Sequence, residues 1–299
     1  MILAAIAALV SQPVTVATID PGHRLIEGVA SDGRTIWVSS LIDRQILQCR
    51  KSCTTIATLP EGLHPFAIAW DSKRKRLWVA VDCPPGVPFI KACERGALIA
   101  LDKRGKVRNR ISPFIGSFHP GDVSASNGEV FVSDSQNGMV FRLVSNDHAI
   151  MAVVLPGAGK SGQGTALAVD GKTLVVSDYS QGIATVDVPT FKRTLLPRLA
   201  DKPLLRGVDG LARCGDTYFG IYNGSTPGRL LKLTIGKDGA DYADLIEGLR
   251  LPDPTQVAFD GKRLLLVADS GWELALKGET RTKGAPILAI PLGKDCKPS

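Results

Sequence analysis

Six short stretches of this chain share one pattern, and that pattern limits the folds open to it more than any other feature. They are Glu27 to Gly33 (EGVASDG), Phe66 to Ser72 (FAIAWDS), Asp122 to Gly128 (DVSASNG), Thr165 to Gly171 (TALAVDG), Asp209 to Gly215 (DGLARCG) and Thr255 to Gly261 (TQVAFDG). The fourth residue is alanine every time: Ala30, Ala69, Ala125, Ala168, Ala212 and Ala258. Most copies end in a turn pair such as Asp-Gly or Asn-Gly, and an apolar run usually follows. Their first residues lie 39, 56, 43, 44 and 46 positions apart, with 44 residues left after Thr255. A unit repeated near this period is the mark of a propeller in which each repeat is one four-stranded blade. The chain therefore reads as all-β, a six-bladed β-propeller with four antiparallel strands per blade.

The stretch after Thr165 serves as the pattern for one blade. Ala166 to Val169 is the inner strand, 173–177 (TLVVS) the second, Ile183 to Val188 the third and Phe191 to Leu196 the outermost. Short β-branched runs bounded by Gly, Asp and Pro are strand signals, and no long amphipathic helical pattern competes with them. The sixth blade ends near Leu292 without a fourth strand, while Val14 to Ile19 (VTVATI) precedes the first inner strand. That segment is expected to close the ring by pairing onto the last blade, which leaves fewer open edges. Residues 14–299 then form one domain, although the length of 299 residues alone would suggest two. Two insertions, Cys83 to Cys93 and Gly271 to Gly284, fall between second and third strands, on the face where the inner strands begin. Long loops on a rigid scaffold are where function tends to sit.

Residues 1–17 carry no charge and hold the apolar run Ile2 to Val10, too short to span a bilayer and suited to an export signal. A cut near Ser11 leaves the closing strand whole; one at Ala17 removes most of it. Six cysteines agree with export to an oxidising compartment, secreted or periplasmic. Cys49 and Cys53 lie close in sequence, as do Cys83 and Cys93, while Cys214 and Cys296 remain. No CxxC occurs and the four histidines have no ligand spacing, which argues against zinc. The net charge of +7 comes from basic residues scattered over turns, as in Lys73-Arg74-Lys75-Arg76. With 6% aromatic residues and no nucleic-acid motif, it reads as a solvated face, with no nucleic-acid partner and no membrane span.

The first residue of each repeat is expected at the mouth of the central channel. There Glu27, Phe66, Asp122, Thr165, Asp209 and Thr255 face one another. Carboxylates packed around a narrow axis repel, and protonation or a cation relieves the repulsion. Oxygen ligands of this kind suit calcium or magnesium, with water at the remaining positions. Six blades, with Glu entering the first and Asp-Gly-Leu entering the fifth, resemble the SMP-30/gluconolactonase/LRE-like family. The resemblance covers nearly the whole chain after the leader and rests on short motifs. It implies a divalent metal at the axis, calcium by analogy, and hydrolysis of small-molecule lactones or related esters by a monomer. The family's ligands are a Glu at the first blade, Asn at the third and fourth, and Asp at the fifth. Glu27 and Asp209 match; the third position is Asp122, able to ligate directly or through water, and the fourth is Thr165, a weaker donor.

By the same resemblance Asp209 ligates the metal and acts as general base for the attacking water, while the cation polarises the carbonyl. His64 and His119, each followed by proline before an inner strand, are alternative bases with a better intrinsic pKa. Phe66, Thr255 and Trp272 are candidate substrate contacts. A non-catalytic propeller that binds a small ligand or a protein partner is the alternative reading. A quinone-dependent sugar dehydrogenase is a third, but no basic cluster for that cofactor is evident. The 157–161 run (GAGKS) lacks the first glycine of a phosphate loop and sits between strands, and no GxSxG elbow exists for a serine hydrolase. Asp134, Asp178 and Asp269, which end second strands, read as turn-forming residues.

Overall fold

A computed structural model describes residues 12–293 and 296, apart from 51, 94, 115, 145–146 and 198–203. The apolar run Ile2 to Val10 lies outside the described residues. The described chain forms six antiparallel four-stranded sheets arranged as the blades of a propeller. The first strand, β1 (Val14–Ile19), belongs to the last blade. Blade 1 is β2 (Ile26–Ser31), β3 (Ile36–Ser40), β4 (Gln45–Cys49) and β5 (Cys53–Thr58). Blade 2 is β6 (His64–Asp71), β7 (Arg76–Asp82), β8 (Ala97–Leu101) and β9 (Val107–Ile111). Blade 3 is β10 (Pro120–Ser126), β11 (Glu129–Asp134), β12 (Val140–Leu143) and β13 (Ile150–Val154). Blade 4 is β14 (Gly162–Leu167), β15 (Thr173–Asp178), β16 (Gly182–Asp187) and β17 (Lys192–Leu195). Blade 5 is β18 (Val208–Cys214), β19 (Thr217–Tyr222), β20 (Arg229–Gly236) and β21 (Gly239–Asp244). Blade 6 is β22 (Val257–Phe259), β23 (Arg263–Val267) and β24 (Ala285–Pro291), completed by β1.

The pairing of β1 with β24 runs antiparallel from Val14 opposite Ala289 to Ile19 opposite Ala285, so the ring closes as the sequence leads one to expect. The core lies between blades, sheet face on sheet face. Trp37 and Ile46 of blade 1 pack with Ile68, Leu77, Val79 and Ile99 of blade 2, all at most 1% exposed. Each such side chain contributes about 1.5–3 kcal/mol by leaving water. Second and third strands, sandwiched on both faces, are accordingly continuous apolar runs; outer strands alternate. Three disulfides, Cys49–Cys53, Cys83–Cys93 and Cys214–Cys296, use all six cysteines. No helix among the described residues is long and apolar enough to cross a membrane.

One irregularity recurs where function would sit. In five blades the ladder between inner and second strand shifts register at the start of the inner strand. The shift leaves Glu27-Gly28, Phe66-Ala67 and Asp209-Gly210 out of regular pairing, and a bulge of this kind re-aims side chains. Gly28 is required there: a Cβ would lie 2.6 Å from the Phe66 carbonyl oxygen of the next blade. At Gly210 a Cβ would lie 3.0 Å from Gln256 Cα, so inner strands touch backbone to backbone at the axis.

The insertions lie on the same face, here called the mouth. A short helix, α1 (Trp272–Leu276), occupies the second insertion. Ala275 and Trp272 of this insertion pack with Val87 and Ile90 of the first over Leu25, Leu41 and Phe66. The turn-forming expectation holds for Asp134, which accepts the amides of Gln136 and Asn137, and for Asp178, which accepts those of Ser180 and Gln181. Asp269 departs from it and instead pairs with Arg281 at 3.3 Å.

Candidate functional site

Six strand starts come together at the mouth, and their polar side chains are held in separate hydrogen-bonded groups around Glu27, Asp209 and Asp122. Glu27, 9% exposed, accepts a 2.7 Å hydrogen bond from the Trp272 indole Nε1 at Oε2. Its own carbonyl oxygen accepts another, also 2.7 Å, from the Thr255 hydroxyl. Thr255 thus clamps the bulge that carries Glu27. Asp209 accepts a 2.8 Å bond from Asn223 Nδ2 at Oδ2. Asn223 Nδ2 also donates to the Pro254 carbonyl, while its buried Oδ1 has no partner among the described residues.

Asp122 is held differently. It lies just past its bulge and pairs in the ladder with Ser133. Its Oδ1 accepts from Gln256 Nε2 at 2.9 Å, and its Oδ2 from the Thr165 amide at 3.3 Å. The Thr165 hydroxyl is bonded to Ser124 Oγ at 2.7 Å. Gln256 spans the axis: its Oε1 accepts from the Val29 amide at 2.7 Å and the Ile68 amide at 3.4 Å. One side chain from blade 6 therefore ties blades 1, 2 and 3 together.

Burial and mutual repulsion govern the charges. Burial, then the charge of Asp209, pushes Glu27 well above the usual carboxylate range, with Asp253 and Asp122 adding to the effect. Asp122 is pushed up to about 7, first by burial and then by Asp209. Burial, opposed by the Asn223 hydrogen bond and reinforced by Asp253, raises Asp209 to about 7 as well. Asp253 in turn holds the roof in place, its Oδ2 accepting from Ser270 Oγ at 2.6 Å and from the amides of Gly271 and Trp272.

The other sequence candidates sit around these groups. Phe66 and Trp272 stand 6.3 Å apart between ring centroids, a tilted pair beside Glu27. His64 is 3% exposed, its Nδ1 lies 3.0 Å from the Leu41 carbonyl, and burial lowers its pKa. His119 Nδ1 lies 3.0 Å from Asp82 Oδ2. No hydrogen bond among the described residues joins either histidine to Glu27, Asp122 or Asp209. Sequence reasoning missed Gln256, Asn223 and Asp253. For Gln256 a signal existed, since the second residue of the other five repeats is Gly28, Ala67, Val123, Ala166 or Gly210, none of them polar in the side chain.

Asp122 already accepts on both oxygens and Thr165 is bonded through its hydroxyl. Glu27 Oε1 and Asp209 Oδ1 accept no hydrogen bond from the described residues. This all-oxygen set, with the orphaned Asn223 Oδ1 beside it, suits a hard cation at Glu27 and Asp209. Among the described residues no three His, Cys, Asp or Glu side chains stand close enough to hold a metal by themselves. Water or amide oxygens would have to complete the shell. Beyond Gln256 and Thr165 the channel widens into a cavity of about 280 Å³, which is lined by five of the six repeat alanines, Ala30, Ala69, Ala125, Ala212 and Ala258.

No protein-family model matches the chain, and no curated protein sequence matches it. Solved structures do. A gluconolactonase from Xanthomonas campestris is 15% identical, with a TM-score of 0.64 over 94% of this chain and 89% of that one. A luciferin-regenerating enzyme is 14% identical, with a TM-score of 0.61 over 96% and 98%. A PQQ-bound aldose sugar dehydrogenase from Streptomyces coelicolor is 13% identical, with a TM-score of 0.61 over 94% and 98%. The chain is a six-bladed β-propeller and shares the fold of gluconolactonases and luciferin-regenerating enzyme.

Proposed function

We propose that the mouth of the channel hydrolyses small-molecule lactones or related esters, with Asp209 as general base. The observation that carries this reading is a pair of buried carboxylates at the mouth, Asp209 and Glu27, each with one oxygen, Oδ1 and Oε1, that accepts no hydrogen bond from the described residues. A carboxylate within hydrogen-bond reach of a bound water can take its proton as general base. A divalent cation, calcium by the resemblance, would be held by Glu27 and Asp209 with Asp122 and Thr165 as outer donors, and would supply Lewis acidity toward the carbonyl oxygen. Asp209 takes the proton of the attacking water. Trp272 and Thr255 fix Glu27 through its carboxylate and its backbone. The paired rings of Phe66 and Trp272 wall an apolar part of the substrate and exclude bulk water. The gluconolactonases among the structural neighbours support a lactone as substrate. Three disulfides support a secreted or periplasmic location, and the protein is read as a monomer.

The test is a panel of small lactones and aryl esters with calcium-loaded protein. Ring opening that chelator and Asp209→Asn both abolish supports the reading; an inactive, calcium-saturated protein overturns it. The second reading, a propeller that binds without catalysis, draws on the hydrogen bonds already engaging Asp122 and Thr165. A melting temperature unmoved by calcium favours that reading.

A further inference from the structure

The basic turns that look scattered in the sequence converge in space. Turns joining inner to second strands and third to outer strands all emerge on the face opposite the mouth, here called the base. On blades 1 and 2 these turns, taken with the strand ends they join and most of β9, span 31–35, 49–50, 71–76 and 101–110. They hold eleven Lys and Arg against three Asp, a surplus of eight, where the whole chain has a net charge of +7. The remainder of the molecule is close to neutral, so the excess charge of the protein is a property of this one sector.

The sector is continuous. Lys103 Nζ of blade 2 reaches Asp32 of blade 1 at 2.6 Å and lies 4.8 Å over the Trp70 ring. Arg74 links blade 2 to blade 3, donating to the Gly128 carbonyl at 2.6 Å and pairing with Asp147 at 2.7 Å. These ion pairs consume the anions nearby. Arg34, Arg50, Lys73, Lys75, Arg104 and Lys106 are exposed and take part in no ion pair among the described residues. The Cys49–Cys53 disulfide pins the hairpin end that carries Arg50.

We infer that the base of blades 1 and 2 is a docking surface for an anionic phospholipid bilayer. Blade turns on one side of a propeller present their tips as a broad face, which matches a bilayer better than a single polymer strand. Stacking on bases or sugar rings has little to work with here, because Trp37 is fully buried and Trp70 lies half-buried under Lys103. Basic side chains at an anionic leaflet each strengthen binding by roughly fivefold, and the attraction fades within a Debye length. Docked this way, the mouth faces away from the lipid into solution.

The experiment is co-sedimentation of protein starting at Gln12 with vesicles of phosphatidylcholine, with and without about one-third phosphatidylglycerol. Binding is expected only to the anionic vesicles and is lost in about 0.5 M salt. The variant Lys73→Gln, Lys75→Gln, Arg104→Gln, Lys106→Gln should bind at least about a hundredfold more weakly while melting like the parent. A control with the same change in net charge, Lys172→Gln, Lys192→Gln, Lys237→Gln, Lys262→Gln on blades 4 to 6, should bind within about threefold of the parent. Equal losses in the two variants overturn the assignment. So does an absence of binding to anionic vesicles at low salt, or tight binding to soluble heparin without binding to vesicles.

Discussion

At the mouth of the channel the six inner strands present Glu27, Phe66, Asp122, Thr165, Asp209 and Thr255; three residues further along they present alanine six times. The mouth is roofed by two insertions, crossed by hydrogen bonds between blades, and holds carboxyls with raised proton affinity. The base is a plain cavity lined by alanine methyls and rimmed by charged turns. The same strands build both ends, so the difference lies in what each position must do. Five of the alanines lie in the ladders of their inner strands and line the cavity. At the mouth a bulge lifts Glu27, Phe66 and Asp209 out of the ladder and re-aims their side chains. Variation among repeats inside one chain thus marks the end where chemistry is possible, and uniformity marks the end that sets the ring's diameter.

The contrast can be broken most severely at Asp209. Asp209→Asn removes the proposed base and is expected to cut lactone turnover by roughly a hundredfold to ten-thousandfold, measured as kcat, whereas Ala125→Ser at the base leaves kcat unchanged. Next comes the staple that ties the C-terminal segment to the base. The Cys214–Cys296 bridge closes 82 residues, and Cys214→Ser should cost about 4 kcal/mol in denaturant unfolding by loop-closure entropy, with no direct effect on the mouth. Gln256, the partition between the two ends, is third. Gln256→Ala leaves the Val29 amide and Asp122 Oδ1 unpartnered and should cost about 1–3 kcal/mol of stability. A Gln256→Ala protein as stable as the parent would show that the two halves of the channel are not held together there.

The smallest effect is on pH dependence. Asp122 and Asp209 bind their protons more tightly folded than unfolded, with pKa values raised from 3.8 to about 7. The stability this contributes is fully present below 3.8 and is lost as pH rises toward about 7. In cation-free protein the melting temperature of Asp122→Asn relative to the parent should therefore climb between pH 4 and pH 8. A constant difference would mean that the carboxyls at the mouth are not strained by their burial.

The fold was legible because its information is periodic. Alanine at a fixed place, a turn pair that begins two residues later in most repeats and a spare strand before the first repeat are features that a linear reading can count. The site was half legible. Glu27 and Asp209 were read from their place as first residues of the first and fifth repeats and from the family resemblance, and the glycine after each proves to sit where the next blade approaches closely. Asn223 and Asp253 could not be read, since they come from loops with no place in the repeat and meet the axis only through tertiary contacts to Asp209 and to the Trp272 amide. The Cys214–Cys296 bridge was beyond reach for a related reason: its partners are near in space only once the ring exists. The grouping of the basic turns on blades 1 and 2 could not be read, because turns side by side in the ring are far apart in sequence, as Lys103 and Asp32 are, 71 positions.

Closing the circle with β1 has a consequence for biogenesis. Val14 must wait for Ala289, so this strand has no neighbour on its blade until a residue far later in the chain has been made. An unfinished chain carries an unpaired leading edge and a gap where a blade should be, and it has no completed axis. Such a polypeptide stays threadable through a translocation pore until Ala289 has been made. Its clasp then snaps shut at once, and a permuted gene whose ends fall between two intact blades would forfeit that delay.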